Sequence, residues 1–465
     1  MDNIREMNTT QILLVSVNAR YSHASYAIRT LRANLGELAP VAAYLETDLD
    51  VTPIQLAEQI AQRKPRIVGF SVYLWNRLLV EATVRILRVA HPEIICIAGG
   101  PELVENREAP VVKLWDAMIF GEGESTFRKV CKAVLANDSL IPEPETLQYF
   151  HAVPEDLTQL ALPYDEYSDI DISQRTIYAE TSRGCPYSCS YCTSNGTTLR
   201  LFPLGALLPA FDKLWQRGVR KFKFLDRTFN APVEHACAIL DFFLPLVTPG
   251  TCLHFEINPD HLHPDVFKRM ALFPKGALHL EVGLQTVNPD VAQRIGRSKN
   301  TAHALENLRK LCQETGAVVH ADLIFGLPGE DETTFAKGFN TVVETCRAPE
   351  IQVNWLKGLP GTRIVREAAQ FNLAFSAEPP YELLHSDVLD FQTLSSIQRF
   401  ARCWELVHNR GRFPQEVEAL HARIAPDYYQ GYKALAQRIF EDEKKLYAIS
   451  AARLQSYLNE HLACL

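Results

Sequence analysis

Short apolar runs alternate with longer amphipathic stretches along the first 135 residues of the chain. Four of the runs have the length, the β-branched content and the flanking turn residues of strands: QILLVSVNA (11–19), RIVGFSVYL (66–74), EIICIAGG (93–100) and DAMIFGEGE (116–124). The stretches between them, such as TPIQLAEQIAQRK, repeat their apolar residues with the period of a helix. Strands that alternate with helices predict a parallel, doubly wound sheet, which binds ligands beyond the carboxyl ends of its strands.

A second alternating series contains six strand candidates. They are TIYAET (176–181), KFKFLD (221–226), CLHFEIN (252–258), LHLEVGLQ (278–285), VVHADLIFG (318–326) and IQVNWLK (351–357). Six strand–helix units predict a complete or partial barrel, whose chemistry lies at the carboxyl ends of the strands. The expected fold is therefore α/β: a Rossmann-like doubly wound domain at 1–137, a surface linker rich in proline and acidic residues at 138–174, a partial (β/α)6 barrel of the TIM type at 175–365 and a helical C-terminal region at 366–465.

Composition narrows the class of protein. With 47% hydrophobic and 22% charged residues among 465, the chain has enough apolar material for several packed cores. A net charge of -8 argues against a general nucleic-acid binder, and no apolar run approaches the roughly 18 residues of a membrane span. The N-terminal sequence MDNIREMNTT does not resemble a secretory signal, and most of the 11 cysteines are scattered singly, unlike a disulfide framework. These features predict a cytoplasmic protein.

One cluster of cysteines departs from this scatter. Cys185, Cys189 and Cys192 have the spacing C-x3-C-x2-C, and Tyr191 stands directly before the last of them. The cluster follows the first strand of the second series, where an active-site loop is expected. Three thiols do not complete a closed structural metal site, which normally has four ligands.

Three kinds of site remain open for these thiols. Zinc needs a fourth ligand, and the chain has no second Cys-x-x-Cys pair, so the candidates are His254, His261, His263 and His320. A redox pair would need only Cys189 and Cys192. A [4Fe–4S] cluster held by three thiolates would keep one iron open for a substrate.

The pattern C-x3-C-x-Φ-C, with aromatic Tyr191 at Φ, resembles the radical SAM superfamily. The resemblance implies that Cys185, Cys189 and Cys192 hold a [4Fe–4S] cluster, and that the fourth iron chelates the amino and carboxylate groups of S-adenosylmethionine (SAM). It also implies that reductive cleavage of SAM gives a 5′-deoxyadenosyl radical, which abstracts hydrogen from a substrate. An external electron donor of the flavodoxin or ferredoxin type is then expected.

Residues at later strand ends extend the resemblance. Glu256 in FEINPD, Gln285 in EVGLQT, Arg297 in QRIGR and Asp322 in DLIFGLPGE stand in the order found in the coproporphyrinogen-dehydrogenase-like branch. In that branch the matching positions bind the methionine part and the ribose of SAM. A carboxylate suits an ammonium group, and an arginine fork suits a carboxylate. Asp226 in FLDRTFN stands where many relatives carry a glycine-rich stretch with an acidic residue, so the resemblance makes it a further cofactor-binding candidate.

The first domain lacks both G-x-G-x-x-G and G-x-x-x-x-G-K-[ST] after its first strand, which argues against a phosphate-binding loop. The spacing GFSVY, AGGPE and FGEGE instead resembles the cobalamin-binding domain that precedes many radical SAM domains. The resemblance gives Ser71, Tyr73, Gly99 and Gly100 as cofactor-binding positions, and Asn18 ends the first strand at the same expected edge.

The usual D-x-H-x-x-G signature for a cobalt-ligating histidine is absent. His23 stands at that place in NARYSHASY, where an ordinary loop role is favoured, and Trp75 lies just beyond a cofactor-facing strand end. The phrases GFSVYLWN and HNRGRF resemble one uncharacterised branch of the cobalamin-binding enzymes. Methylthiotransferases carry three further cluster cysteines in the first domain, whereas this one has only Cys96 and Cys131.

The resemblance implies a cobalamin-dependent radical SAM enzyme, most plausibly a methyltransferase that acts on an unactivated carbon of an unknown substrate. The alternatives are a non-methylating rearrangement or cyclisation with the same cofactors, and an inactive cofactor-binding protein. The acidic chain favours a small-molecule or peptide substrate over nucleic acid, and no membrane partner is expected.

Overall fold

The computed structural model describes residues 10–103, 114–136, 148–348 and 350–465. The chain divides into two compact units, Met1–Thr181 with Arg200–Lys223 and Ser182–Leu199 with Phe224–Leu465. The N-terminal sequence on which the signal-peptide prediction rests lies outside the described residues, apart from its last position. These units do not follow the domain boundaries expected from the sequence, which stay a prediction.

The first unit contains a six-stranded parallel sheet. Its strands are β1 (Ile12–Asn18), β2 (Ala42–Asp48), β3 (Ile67–Ser71), β4 (Ile95–Gly99), β5 (Ala117–Phe120) and β6 (Gln148–His151), in the order β2-β1-β3-β4-β5-β6. The helices between them are α1 (Tyr26–Ala33), α2 (Pro53–Gln62), α3 (Arg77–Ala90) and α4 (Glu124–Leu135). The strand order changes direction between β1 and β3. Open α/β sheets bind ligands beyond the carboxyl ends of the two strands at such a point.

Both faces of this sheet are covered by helices. Leu13, Val15 and Val17 belong to an apolar layer with α2 and α3, while Ile12 and Leu14 belong to a second layer with α1 and α4. Strand β1 is therefore buried along its whole length, which explains its mostly apolar sequence. The prediction of a doubly wound sheet is confirmed.

Two edge strands were not predicted from the sequence. Strand β2 reads AAYLETD and is only half-buried, and β6 is a four-residue strand within the stretch expected to be a linker. Edge strands carry polar residues and lack the continuous apolar run of a central strand, so their pattern is weak. The expected linker is also packed further along, because Asp171 pairs with the buried Arg29 at 2.9 Å.

The remaining chain continues the alternation. Its strands are β7 (Ile177–Ala179), β8 (Ser182–Arg183), β9 (Arg200–Leu201), β10 (Lys221–Phe224), β11 (Cys252–Ile257), β12 (Leu278–Gln285), β13 (Val318–Phe325), β14 (Glu350–Trp355), β15 (Ala374–Phe375) and β16 (Leu383–His385). Its helices are α5 (Asp169–Gln174), α6 (Leu204–Gln216), α7 (Val233–Phe243), α8 (Pro264–Ala271), α9 (Pro289–Arg294), α10 (Thr301–Glu314), α11 (Glu332–Cys346), α12 (Arg363–Arg366), α13 (Phe391–Trp404), α14 (Pro414–Ile424), α15 (Tyr428–Glu443) and α16 (Ala451–Cys464). The six strands expected in the second series occur as β7 and β10 to β14.

In the second unit, β11 to β14 are parallel neighbours in sequence order. On β12 and β13 buried and half-buried residues alternate strictly. The buried residues form the apolar face of the strands, and α10 packs against β12 and β13. The other face carries the polar side chains, among them Glu256, Gln285 and Asp322.

The C-terminal part of the second unit is helical, as the sequence predicts. Helices α13 and α15 pack together, with the fully buried Phe400, Trp404, Tyr429 and Tyr432 between them. The short antiparallel pair β15–β16 was not predicted. Within the described ranges, none of the helices is long and apolar enough to cross a membrane.

Candidate functional site

A glycine in an unusual conformation opens the cysteine loop. Gly184 has φ +88°, and a Cβ at this position would lie 2.2 Å from the backbone oxygen of Thr198. Only glycine fits both conditions. The next residue, Cys185, donates its backbone N–H to Oγ1 of Thr197 at 3.0 Å, and its Sγ lies 3.6 Å from Oγ1 of Thr228. The local sequence therefore fixes the direction in which the first thiol emerges.

The other two thiols lie on a tight turn. The backbone N–H of Cys192 donates to the oxygen of Cys189 at 3.2 Å, and the N–H of Ser194 donates to Sγ of Cys192 at 3.4 Å. The N–H of Ser190 donates to the oxygen of Ile295 at 2.9 Å, which ties the turn to the segment after α9. Backbone donors to sulfur are among the features that tune iron–sulfur clusters.

Burial makes the thiolate form of Cys189 unfavourable. It raises the pKa of Cys189, whereas Arg297 and a hydrogen bond with Tyr191 act to lower it. The neighbouring thiols of Cys185 and Cys192 raise the pKa further, so the three sulfurs are close enough to interact. A ligand that supplies positive charge would favour the deprotonated form.

The donor set of the cysteine loop consists of three thiols. Among the residues with described positions, no three His, Cys, Asp or Glu side chains converge as the ligands of one ion. Thiolates are the usual protein ligands of iron–sulfur clusters, and three of them leave one iron of a [4Fe–4S] cluster without a protein ligand. Three thiols, together with a backbone donor to one sulfur, suit a [4Fe–4S] cluster.

The four histidines considered for zinc have other contacts. Nε2 of His254 lies 2.9 Å from Glu281, and Nε2 of His320 lies 3.0 Å from Glu350. Burial acts to lower the pKa of His320, but Glu350 outweighs this effect and raises it. The other two histidines lie after β11: His261 stacks on Tyr187 and His263 caps α8.

The polar face of β11 to β13 brings the expected SAM residues toward one edge. Asp322 lies directly opposite Gly283, and a Cβ on Gly283 would lie 2.6 Å from Nε2 of Gln285 and 3.9 Å from Nη1 of Arg297. The absence of a side chain at Gly283 thus leaves room for the amide and the guanidinium. Glu256 lies on the same face of the neighbouring strand β11.

The backbone of Gln285 explains how its side chain folds back over Gly283. Gln285 has φ +69°, a left-handed conformation that is uncommon for residues other than glycine. The register with β13 shifts between Gly283 and Gln285, which marks a β-bulge. Bulges often redirect side chains beside functional sites.

Arg297 links the cysteine turn to the loop after β11. Its Nη2 lies 2.9 Å from Oδ2 of Asp260 and donates to Oδ1 of Asn258 at 3.0 Å. Burial acts to lower the pKa of Arg297, but Tyr191, Asp260 and Cys189 raise it. The Nη2 atom of the guanidinium group that was predicted to bind the carboxylate of SAM is therefore already paired with acceptors of the protein itself. The sequence FEINPD contained Asn258 and Asp260, but nothing in its pattern indicated this contact.

Asp226 has a partner just upstream of the cysteines. It is 1% exposed, and its Oδ1 accepts a hydrogen bond from Oγ of Ser182 at 2.5 Å. Ser182 precedes Gly184 by two residues, so this contact holds the start of the cysteine loop. A direct role of Asp226 in cofactor binding stays a prediction.

In the first unit, the predicted residues lie at the carboxyl edge of the sheet. Asn18 is buried at the end of β1, where it donates to the oxygen of His23 at 2.7 Å and to Oε1 of Glu46 at 2.8 Å. Nδ1 of His23 lies 2.5 Å from the hydroxyl of Tyr178. Ser71 ends β3 and accepts from Asn76 through its backbone oxygen at 3.0 Å. These contacts give Asn18 and His23 local structural roles.

An exposed aromatic pair lies beyond β3. The rings of Tyr73 and Trp75 stack with centroids 4.5 Å apart, and Trp75 is 47% exposed although its Nε1 donates to the oxygen of Val17 at 3.0 Å. At the end of β4, no described atom lies within 4 Å of a Cβ built on Gly99. Gly100 has φ +121°, and its Cβ would lie 2.4 Å from the oxygen of Val72. This edge therefore combines an apolar surface with open space.

Three known protein families match parts of the chain. The Radical SAM superfamily matches residues 179–341, the B12 binding domain matches residues 12–131, and a protein family of unknown function, DUF4080, matches residues 369–461. The two named domains cover the cysteine loop and the sheet edge described above.

Two curated relatives are methyltransferases. The 2-(S-pantetheinyl)-carbapenam-3-carboxylate methyltransferase of Streptantibioticus cattleyicolor is 27% identical over 64% of this chain and 48% of its own length. The cobalamin-dependent radical SAM methyltransferase TokK of Streptomyces tokunonensis is 26% identical over 72% of this chain and 53% of its own length. The chain thus spans about half the length of these relatives.

A solved structure shares the fold. The radical S-adenosylmethionine methyltransferase TsrM from Kitasatospora setae, with cobalamin and a [4Fe–4S] cluster bound, superposes with a TM-score of 0.60 at 18% identity, covering 82% of this chain and 78% of that one. Another structure of TsrM contains tryptophan as substrate and a SAM analogue. This likeness is one of fold: an α/β architecture with a Rossmann-like first domain and a helical C-terminal part.

Proposed function

Because its two matched domains make this chain a member of the cobalamin-binding radical SAM family, we propose that it is a methyltransferase acting on an unactivated carbon. The cofactors of the family are a [4Fe–4S] cluster, SAM and cobalamin. The two relatives described above are among the curated ones with methyltransferase names, and they support the reaction class. Since the chain spans about half of their length, their activities come to it only as a proposal.

The proposal rests above all on one arrangement, the contact of Arg297 with both the cysteine turn and the loop after β11. Cys185, Cys189 and Cys192 are proposed to hold the cluster. A cluster held there, once reduced by the external donor, would supply the electron for the reductive cleavage of SAM. Arg297, which acts to lower the pKa of Cys189, favours the thiolate that binding requires.

The polar edge of the second unit offers groups for each part of SAM. Glu256 is proposed to accept hydrogen bonds from the ammonium group, and Asp322 from the ribose hydroxyls. The amide of Gln285 and the Nη1 side of Arg297, which both lie near Gly283, are proposed to bind the carboxylate. Tyr191 would keep Arg297 in place through their mutual contact.

In the first unit, cobalamin is proposed to bind at the carboxyl edge of the sheet. The open space beside Gly99 and the close packing of Gly100 against the backbone of Val72 would let the nucleotide tail of cobalamin enter between the strands. The stacked rings of Tyr73 and Trp75 offer an apolar surface for a macrocycle. Ser71 and Asn18 would then act from behind this surface, since both side chains are buried.

The substrate is proposed to be a small molecule or a peptide, with electrons from a flavodoxin or ferredoxin type of donor. The test is anaerobic reconstitution with iron, sulfide, cobalamin, SAM and a reductant, followed by analysis of the products. Methyl transfer gives S-adenosylhomocysteine together with 5′-deoxyadenosine. Deoxyadenosine alone would favour a rearrangement or cyclisation. An intact cluster that never cleaves SAM would favour an inactive cofactor-binding protein and contradict the proposal.

The cysteine assignment has a matched control. Cys189→Ala should abolish SAM cleavage, because one cluster ligand is lost. Cys312→Ala removes a half-buried cysteine of α10 that belongs to no proposed site, and it should cleave SAM like the wild-type chain. Equal loss of cleavage in both variants would indicate general damage to the fold.

A further inference from the structure

A buried carboxyl group lies beside the proposed SAM site without a role in it. Glu330 follows β13 in the loop GLPGE, and it is only 3% exposed. Its backbone N–H donates to the oxygen of Leu327 at 3.0 Å, and the loop turns through two glycines, Gly326 and Gly329, with positive φ. The side chain is therefore held inside the protein at the carboxyl end of the sheet.

The two oxygens of Glu330 differ in their surroundings. Oε1 accepts a hydrogen bond from Oγ1 of Thr286 at 2.7 Å, whereas Oε2 is buried and has no hydrogen-bond partner among the residues that the structure describes. Burial raises the pKa of Glu330 to about 7, the hydrogen bond from Thr286 acts to lower it, and the charge of Asp331 raises it. A neutral carboxyl group thus suits this position better than a charged one.

No cation compensates this group within the described ranges. Arg294 of α9 contacts the loop through its backbone, because its Nη1 donates to the oxygens of Pro328 and Gly329 at 3.2 and 3.4 Å. The charged residue that acts on Glu330 is the adjacent Asp331, which caps α11. An ionised Glu330 would therefore be a buried, unpaired charge.

Thr286 connects this carboxyl group to the proposed SAM residue Gln285. The hydroxyl of Thr286 accepts the backbone N–H of Asn288 at 3.1 Å and donates to Glu330, so its single proton is committed to the carboxyl group. The backbone N–H of Thr286 donates to the oxygen of Leu284 at 2.9 Å. Gln285 lies between these contacts in its left-handed conformation, which persists only where its surroundings hold it.

We propose that the contact between Thr286 and Glu330 is a latch that holds Gln285 in position for SAM, with Glu330 as a positioning residue that acts through Thr286. The identity of the ligand rests on the proposed function, whereas the latch itself rests on the contacts above. The loop that carries the latch is most stable when Glu330 is neutral, because the cost of burying a charge outweighs the stronger hydrogen bond that Thr286 donates to an ionised carboxyl group. The stability that the neutral carboxyl group gives is fully present below pH 4.5, the ordinary pKa of glutamate. It is lost as the pH rises through about 7, the raised pKa of Glu330.

Two substitutions separate the parts of the latch. Glu330→Gln keeps an acceptor for Thr286 and stays neutral at every pH, while Thr286→Val keeps the shape and removes the donor. Glu314→Gln, at the exposed end of α10, is the matched control for the loss of a carboxylate. Thermal unfolding of each variant establishes that the fold is retained.

The first measurement is the SAM affinity of the iron-loaded chain by calorimetry at about pH 6, where Glu330 is largely neutral. Thr286→Val should weaken SAM binding at least about tenfold. Glu330→Gln and Glu314→Gln should bind SAM at least as well as the wild type, within about threefold. Wild-type affinity in Thr286→Val would overturn the proposal.

The second measurement is hydrogen exchange of the peptide 283–288 in wild type and Glu330→Gln at pH 5 and pH 7. The two proteins should exchange alike at pH 5, and the wild type should exchange at least about tenfold faster at pH 7, because only the wild type gains a buried charge. Equal exchange at both pH values would overturn the latch. If the iron-loaded wild type binds no SAM, the proposed function fails, and the exchange measurement still decides whether the latch exists.

Discussion

The buried ion pair between Arg297 and Asp260 gives the sharpest test of how the site is built. Both side chains are at most 7% exposed and their charged atoms are 2.9 Å apart. Arg297→Met leaves the carboxylate of Asp260 buried without its cation and removes a donor to Asn258. Breaking a buried pair in this way costs about 3–5 kcal/mol of unfolding free energy.

A double-mutant cycle isolates the coupling between the two charges. Adding Asp260→Asn to Arg297→Met removes the uncompensated charge, so the double variant should recover part of the loss, about 1–3 kcal/mol. The measurement is urea unfolding of the whole chain, monitored by circular dichroism. The matched control is Arg269→Met, which breaks an exposed pair with Asp241 and should change stability little.

The reasoning would be refuted by either of two results. A loss below about 1 kcal/mol in Arg297→Met would mean that the pair is not effectively buried. Strict additivity in the cycle would mean that the two side chains do not interact. A chemical readout accompanies the stability: because Arg297 acts to lower the pKa of Cys189, iodoacetamide should alkylate this thiol more slowly in Arg297→Met at pH 8, as measured by peptide mass spectrometry.

Three further predictions concern the other parts of the site. Gly184→Ala should lower the iron content of the reconstituted chain at least twofold by colorimetric assay, because its Cβ would lie 2.2 Å from the oxygen of Thr198; full iron content would contradict the loop geometry. Glu350→Gln should lower the thermal midpoint more at about pH 5.5 than at about pH 8.5. Because Glu350 raises the pKa of His320, their pair adds about 1 kcal/mol or less of stability, which is present below pH 6.5 and lost as the pH rises. Equal shifts at the two pH values would refute the pairing. Trp75→Ala should weaken cobalamin binding about tenfold in absorbance titrations while Trp75→Phe keeps most of the affinity, and unchanged binding in the alanine variant would exclude this surface.

Local patterns in the sequence were enough to predict the central elements. The run from Ile12 to Val17 is buried on both faces, so it is apolar apart from Ser16 and has the pattern of a central strand. Strand β12 has the bounds expected from its alternation of buried and half-buried residues. The cysteine spacing likewise lies within one short loop. Each of these signals is carried by residues close together in the chain.

The features of the site that the sequence did not predict depend on residues that are distant in the chain. The contact of Thr286 with Glu330 joins residues 44 positions apart, and the pair of Arg297 with Asp260 joins two different loops. The bulge at Gln285 shifts the register between two strands, which the alternation within one strand does not reveal. Such contacts follow from the packing of the strands and leave no periodic signal.

The central claim is that Cys185, Cys189 and Cys192 hold a [4Fe–4S] cluster with one iron open to SAM. Mössbauer spectroscopy of the chain reconstituted with 57Fe tests this most directly. The account predicts a spectrum of a [4Fe–4S] cluster in which the signal of one iron changes when SAM is added, and its loss in Cys189→Ala. A cluster spectrum that SAM leaves unchanged, or one that persists in Cys189→Ala, would contradict it.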